Sequence, residues 1–278
     1  MQKFRIHPDS NYFSSFDGRF TTRFAIKDEL PVTELAYPEF YDVKITNYCS
    51  GKCPWCYQDS KSEDTHYSDI VGKVDSFFGS MTQNQRPFQV AIGGGNPNEH
   101  PDFIKLIDKF VELGITPSYT TNGIGLTPEV LEATKKHCGG VAVSCHPHLK
   151  DYWKAAAENY YTWGIKLNFH IIISDYDSIN QFRRIYNTWK DKVDYFVLLP
   201  YGNQGRAEKK EIDWEYLITQ LPEDQSKLAF GANFYPYLLK GGHNINVCLY
   251  EPDIMSKFLD LKDMKIYPSS FNLTTEVK

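Results

Sequence analysis

Three cysteines crowd into eight residues: Cys49, Cys53 and Cys56, in the segment Asn47–Tyr57, NYCSGKCPWCY. At C-x3-C-x2-C spacing on a tight loop, three thiolates can ligate three irons of a four-iron, four-sulfur cluster. Cubane clusters usually take four cysteines. A set of three leaves one iron open, and an open position is what substrate or cofactor chemistry needs. A structural zinc site normally wants four tetrahedral ligands, so a residue such as His66 would have to complete it. Inert buried thiols are ordinary singly, but three at this spacing directly after a strand are poorly explained by chance.

The elements that must position these residues follow a regular pattern from residue 40. Phe40–Ile45 alternates like a strand and runs into the cysteine loop, and Phe88–Ile92 is a second strand ending in Gly93, Gly94 and Gly95. Pro101 opens a helix as a first-turn residue, its buried stripe is Phe103, Leu106, Ile107 and Phe110, and Gly114 fits the position just past its end. Strands are expected at Ser118–Thr121, Val141–Cys145, Lys166–Ile173 and Tyr195–Leu199. Helices are expected from Thr127–Pro128 to near Gly139, over Lys150–Thr162, and on the face Ile179, Phe182, Ile185 and Trp189. Strands alternating with helices argue for right-handed βαβ units and a parallel sheet. Six such strands give an α/β fold, a partial (β/α)6 TIM-like barrel short of eight repeats. Residues 1–39 read as an irregular, aromatic-rich extension with a hairpin at Phe20–Ile26 after the Asp17–Gly18 turn. Ser256–Leu259 and Lys265–Tyr267 read as a C-terminal β-hairpin, and Asn272–Lys278 as a frayed tail. The division is 1–39, a core over 40–235, and 236–278.

A chain of 278 residues, 41% hydrophobic and 15% aromatic, can bury a large core. Its net charge of −5 gives no basic domain of the kind that grips nucleic acid, so a nucleic-acid partner is unsupported. The run Arg206–Lys210, RAEKK, is interrupted by Glu208 and reads as a solvated helix end. The start, MQKFRIHPDS, lacks the features of a secretory signal, and no stretch approaches the length of a membrane span. These readings point to the cytoplasm, where crowded cysteines mean a metal site or catalysis rather than disulfides.

The cysteine segment after the first strand resembles the signature of the radical S-adenosylmethionine (SAM) superfamily, including the aromatic residue before the third cysteine, Trp55. In that family this residue lies near the adenine of the cofactor; a core aromatic under the loop explains Trp55 equally well. Gly93-Gly94-Gly95-Asn96-Pro97 stands where the family has GGE-P. The resemblance implies that Gly94 and Gly95 let the backbone approach the methionine part of the cofactor. It also implies that Asn96 replaces a glutamate that would accept from the cofactor's ammonium, with a weaker, uncharged acceptor. Thr120-Thr121-Asn122-Gly123 resembles the family's T-N-G, and Val143-Ser144-Cys145-His146 its V-S-x-D. By resemblance Asn122 and Ser144 face the cofactor, and His146, in place of an acid, is a candidate for proton movement or simply a satisfied polar strand end. Asn168, with Ile171–Ile173, is placed beside the ribose and adenine, and Leu199, in LPYGNQGRA, at the end of the sixth strand.

That last stretch is similar to the branch of the superfamily with SPASM-type extensions. Members with auxiliary clusters typically carry cysteine in a Y-P-C position, where this chain has Tyr267-Pro268-Ser269. Cys138, Cys145 and Cys248 form no second spaced set, so one cluster is expected, the C-terminal piece is a shortened remnant, and Cys248 is an ordinary buried thiol. The resemblance implies an enzyme with one [4Fe-4S] cluster and S-adenosyl-L-methionine. Reductive cleavage would give a 5′-deoxyadenosyl radical that abstracts hydrogen from a substrate, with an electron donor such as flavodoxin or ferredoxin. The substrate stays open between a peptide or protein side chain and a small metabolite or nucleotide. A cofactor-binding regulatory protein without turnover is the alternative, supported by Asn96.

Overall fold

Period-two alternation separates two kinds of residue on every central strand, and the architecture follows from where each kind is placed. The computed structural model describes residues 2–7, 12–18, 20–25, 35, 37–222, 224–231, 234–240 and 255–273. Six parallel strands, β4 (Phe40–Thr46), β5 (Gln89–Gly94), β6 (Thr116–Thr121), β7 (Val141–Ser144), β8 (Leu167–Ile173) and β9 (Tyr195–Pro200), lie side by side in chain order. Five helices join them: α1 (Ile70–Gly79), α2 (Phe103–Glu112), α3 (Pro128–His137), α4 (Lys150–Thr162) and α5 (Tyr176–Trp189). On β8, Leu167, Phe169, Ile171 and Ile173 are buried under the helices, Phe169 meeting Trp153 at 5.6 Å and Trp189 at 5.1 Å between ring centres. The intervening residues, such as His170, face a cavity with Asp42 of β4 and Ser144 of β7. The core is therefore a layer between strands and helices, and the inner face of the sheet carries polar side chains among apolar ones.

The helix stripes fall where the periodicity puts them. Phe103, Leu106, Ile107 and Phe110 of α2 are buried, as are Ile179, Phe182, Ile185 and Trp189 of α5. The start of α2 differs: Pro101 and Asp102 form a turn ahead of Phe103. Thr127 caps α3 by accepting from the Val130 N–H at 3.3 Å, with Pro128 in the first turn.

The sheet extends beyond the expected six strands. After α6 (Trp214–Thr219), β10 (Leu228–Phe230) pairs parallel to β9, and α7 (Tyr235–Lys240) follows. β11 (Ser256–Asp260) pairs parallel to β4 and antiparallel to β12 (Lys265–Tyr267), so the C-terminal hairpin joins the central sheet. The order is β10-β9-β8-β7-β6-β5-β4-β11-β12. Three residues at β10 carry too short a pattern to read from sequence. Cys248 lies outside the described residues.

The first residues also form more than a hairpin. β1 (Lys3–Ile6), β2 (Tyr12–Phe16) and β3 (Thr21–Ala25) make an antiparallel sheet; Ile26 lies outside the described residues. This sheet is fastened where β4 and β5 begin. Phe16 stacks on Phe88 at 5.7 Å, Arg5 donates to the Pro38 carbonyl at 3.2 Å, and Arg23 pairs with the buried Glu39 at 2.6 Å. It thus sits at the end of the core opposite the cysteine loop.

Candidate functional site

The chain leaves β4 at Thr46 and folds into a loop held by its own backbone. The Cys49 N–H donates to the Lys61 carbonyl at 3.0 Å, the Lys61 N–H to the Asn47 carbonyl at 3.1 Å, and the Cys56 N–H to the Cys53 carbonyl at 3.3 Å. Cys49, Cys53 and Cys56 line one cavity of about 300 Å³ at the C-terminal ends of the strands. All three are free thiols. The Gly51 N–H lies 3.4 Å and the Asn122 amide 3.6 Å from Cys49 Sγ, both aimed as donors to the sulfur.

Burial, with the nearby Cys49 and Cys56, pushes the Cys53 thiol up to about 12, and burial raises Cys49 as well. Cys49 and Cys53 therefore resist ionising unless a cationic centre is supplied, and metal binding does that. Among the described residues no three His, Cys, Asp or Glu side chains close on a single metal-ion position. His66 is engaged elsewhere, 3.1 Å from Thr46 Oγ1 and packed on Tyr48 and His100 at 4.5 and 4.9 Å between ring centres. Trp55 Nε1 and Gln58 Oε1 are buried without a protein partner, and both residues line the cavity. Thiol set and orphaned polar atoms together fit an iron–sulfur centre with a polar organic ligand beside it.

Opposite the cysteine loop, Gly93, Gly94, Gly95 and Asn96 close the end of β5. The Gly95 N–H donates to the Thr46 carbonyl at 2.7 Å and the Asn96 N–H to the Tyr48 carbonyl at 3.1 Å. A Cβ at Gly95 would overlap the Tyr48 carbonyl, whereas one at Gly93 would meet open space. Close approach at Gly95 is thus between two backbones, and Gly93 is the glycine whose missing side chain enlarges the cavity. Sequence reasoning singled out Gly94 and Gly95 instead.

Asn96 is placed differently from expectation. Its side-chain oxygen accepts from Thr121 Oγ1 at 2.9 Å and from the Asn122 N–H at 3.3 Å. Its amide donates to Glu99 at 3.0 Å and to the Ile124 carbonyl at 2.8 Å. Only 2% exposed, it straps β5 to the turn after β6. Glu99 also accepts from the Ser50 N–H at 3.4 Å, which brings a carboxylate to the cysteine loop three residues after the position where one was missed.

Asn122, Ser144, Leu199, Trp55 and His146 line the same cavity. Asn168 does not, although its Oδ1 is buried and unpartnered. Trp55 sits edge-on to His146 and His148 at 5.7 and 5.3 Å, and His148 Nε2 lies 3.0 Å from the Gly51 carbonyl. Burial, then His148 and His170, lowers His146 to about 4, and burial lowers His170 likewise to about 4. Both rings touch cavity space yet lie far from bulk water, so both are neutral near pH 7. Asp42 also faces the cavity, and burial raises its carboxyl to about 7.

The run at Arg206–Lys210 is no helix end. Arg206 Nε donates to the Cys53 carbonyl at 2.7 Å, Nη2 to the Ser60 carbonyl at 2.6 Å, and Nη1 reaches Asp59 at 3.4 Å. Gly205, at φ +63°, packs where a Cβ would overlap the Cys56 carbonyl. The chain after β9 therefore clasps the cysteine loop, which sequence reasoning missed although Gly205-Arg206 lies within a stretch it marked. Phe271 adds a further wall, stacked on Tyr57 at 4.5 Å. Cys138 and Cys145 do not line the cavity.

Among the described residues no helix is long and apolar enough to cross a membrane. Known proteins resemble the chain at two levels. Over 93 residues it is 29% identical to the mycofactocin maturase MftC of Mycobacterium tuberculosis, a match covering 31% of this chain and 22% of that protein. The chain thus spans about a fifth of the curated relatives it matches. Its fold is similar to Streptococcus suis SuiB bound to S-adenosylmethionine, with a TM-score of 0.71 and 16% identity, covering 88% of this chain and 64% of SuiB. It is also similar to anSMEcpe with bound AdoMet and the Cp18Cys peptide, at TM-score 0.58 and 15% identity, covering 85% and 75%. At such identities the likeness is one of fold. The sequence model of the radical SAM superfamily matches residues 43–172, from β4 into β8, a stretch that carries all three clustered cysteines.

Proposed function

We propose that the chain is a radical SAM enzyme in which Cys49, Cys53 and Cys56 hold one [4Fe-4S] cluster and S-adenosyl-L-methionine occupies the cavity beside it. The observation that carries this reading is the three free thiols on one cavity wall, facing the glycine end of β5. When bound and reduced, the cluster supplies the electron that splits the cofactor into methionine and a 5′-deoxyadenosyl radical, which takes a hydrogen atom from substrate.

The chain's own residues position and shield. Gly93 leaves room for the methionine part, Gly94 and Gly95 let the end of β5 pack against the backbone of the cysteine loop, and Asn122 and Ser144 offer polar contacts. Trp55 and Leu199 enclose the adenine side, and Asn168 adds a buried acceptor below. Asn96 acts through Thr121 and Asn122 by fixing the turn that carries them. Glu99 stands nearer the cysteine loop as a charged acceptor. Neutral His146 can accept or pass a proton at the cavity edge. The core over 40–235 carries these parts, the described residues of 1–39 close its far end, and those of 236–278 add the hairpin β11–β12 and a cavity wall.

A peptide or protein side chain is the proposed substrate. Supporting it are the mycofactocin maturase, SuiB bound to its precursor peptide SuiA, and anSMEcpe bound to a peptide. An electron donor such as flavodoxin or ferredoxin and a reducing cytoplasm complete the proposal. The test is anaerobic reconstitution with iron and sulfide analysis, then dithionite and S-adenosylmethionine. Deoxyadenosine above the level of a C49A/C53A/C56A variant is expected. Cofactor binding without cleavage would favour the regulatory alternative, and no cluster would end the proposal.

A further inference from the structure

Two more hollows adjoin the cysteine cavity. The first, of about 480 Å³, shares Trp55, His146 and Ile172 with it and lies between the start of α5 and the chain after β9. The second, of about 370 Å³, shares Pro147, Gln181 and Arg184 with the first and runs between α4 and α5. Neighbouring hollows with shared walls thus lead from the cysteine cavity toward the surface between α4 and α5.

The charge along this path opposes that of the chain. Net charge is −5, yet every charged side chain lining the outer hollow is cationic: Lys150, Lys154 and Arg184. Lys210 adds a cation to the inner hollow. Of the acids there, Asp175 is already engaged. It accepts from the Ser178 N–H and Ser174 Oγ, each at 2.8 Å, and faces Lys210 at 3.8 Å. Asp177 remains as the opposing charge. Beneath the cations lies an apolar floor of Pro147, Trp153, Ile185 and Trp189.

We propose that this path binds the substrate, and that the substrate is a peptide whose acidic side chains flank the residue delivered to the cavity. The inference rests on the peptide-modifying reading above and names its substrate class. Spaced carboxylates can meet Lys150, Lys154 and Arg184. A nucleic-acid strand carries a charge on every unit and would have to pass Asp177 on a chain of net negative charge. A peptide can place its charges only where the cations stand.

The test uses the anaerobically reconstituted protein with S-adenosylmethionine and four fluorescein-labelled probes of equal length. Three are peptides, alternating Glu-Gly, Lys-Gly and Ser-Gly, and the fourth is oligothymidylate. Fluorescence anisotropy should give tightest binding for the Glu-Gly peptide, weakening as salt shortens the screening length. A K150E/K154E/R184E variant should bind it roughly tenfold more weakly, three exposed pairs being lost. A K150Q/K154Q/R184Q variant, which adds no repulsion, should lose several-fold and serves if the reversal disturbs folding. Equal or tighter binding of the Lys-Gly, Ser-Gly or oligothymidylate probe, unchanged affinity in a folded variant, or no Glu-Gly binding would overturn the inference. If the wild type binds no S-adenosylmethionine, the cofactor reading fails instead; if it cleaves the cofactor but shows no acidic preference, only the peptide path fails.

Discussion

Asp42 is a carboxyl on the inward face of β4 among residues that offer it no cation, and its removal has a computable consequence. Burial raises it from an ordinary value of 3.8 to about 7. Replacing it by Asn keeps the shape and removes the titration. In the unfolded chain the carboxyl ionises near pH 4, and in the folded chain only near pH 7, so between these limits folding takes up a proton. Stability from this group is therefore fully present below pH 4 and is lost as pH rises to 7. A separation of about three pKa units at 1.36 kcal/mol each is about 4 kcal/mol. Water entering the cavity halves this to about 2 kcal/mol. Asp42→Asn should match the wild type near pH 4 and exceed it by about 2 kcal/mol above pH 7. Anaerobic urea denaturation of both proteins, read by tryptophan fluorescence across that range, measures the difference. Other titrating groups are common to both and cancel. Parallel stability curves would refute the reasoning, because they would mean that Asp42 is ionised and hydrated in the folded protein.

Arg206→Ala should release the cysteine loop by removing charged hydrogen bonds to Cys53 and Ser60, at a cost of about 2 to 3 kcal/mol. Iron and sulfide per chain should fall, with partial recovery in Arg206→Lys. Gly95→Ala should cost about 3 kcal/mol, because its Cβ would overlap the Tyr48 carbonyl. Thermal unfolding would register the loss, while Gly93→Ala, facing open space, should unfold near the wild-type temperature. His146 and His170, lowered from 6.5 to about 4, bind protons more readily when unfolded. Stability should fall as pH drops from 6.5 toward 4, by up to ~1.4 kcal/mol per pH unit for each ring, and an H146Q/H170Q variant should show a flatter profile in the same denaturation series.

What the sequence disclosed depended on how locally each feature is encoded. The cysteine loop, the helix stripes of α2 and α5, and the alternation of β8 each lie within one short window, so spacing alone places them. β10 and the parallel pairing of β11 with β4 depend on contacts between separate elements, and three or five residues cannot specify a neighbour about thirty positions away for β10 or about two hundred for β11. Asn96 shows a subtler limit. Its place in a Gly-rich strand end suggested a ligand contact, but an amide has two donors and an acceptor that takes two bonds, and the turn after β6 uses them. Arg206 was hidden by its company: beside Glu208, Lys209 and Lys210 a cation reads as surface charge, and only the fold brings Cys53 and Ser60 within its reach.

The polar residues of the interior connect these observations to function. A parallel barrel built for stability alone would fill its centre with branched apolar side chains. Here β4, β7 and β8 direct Asp42, Ser144, His146 and His170 inward, and burial drives both imidazoles and the carboxyl toward their neutral forms. Neutral groups cost far less to bury than charged ones, which lets the fold tolerate them. They remain costly relative to valine or leucine unless something occupies the space and completes their hydrogen bonds. The unpartnered Trp55 Nε1 and Gln58 Oε1, both on residues that line the cavity, carry the same implication. A bound molecule offering an acceptor to Trp55 and a donor to Asp42 would relieve both groups together.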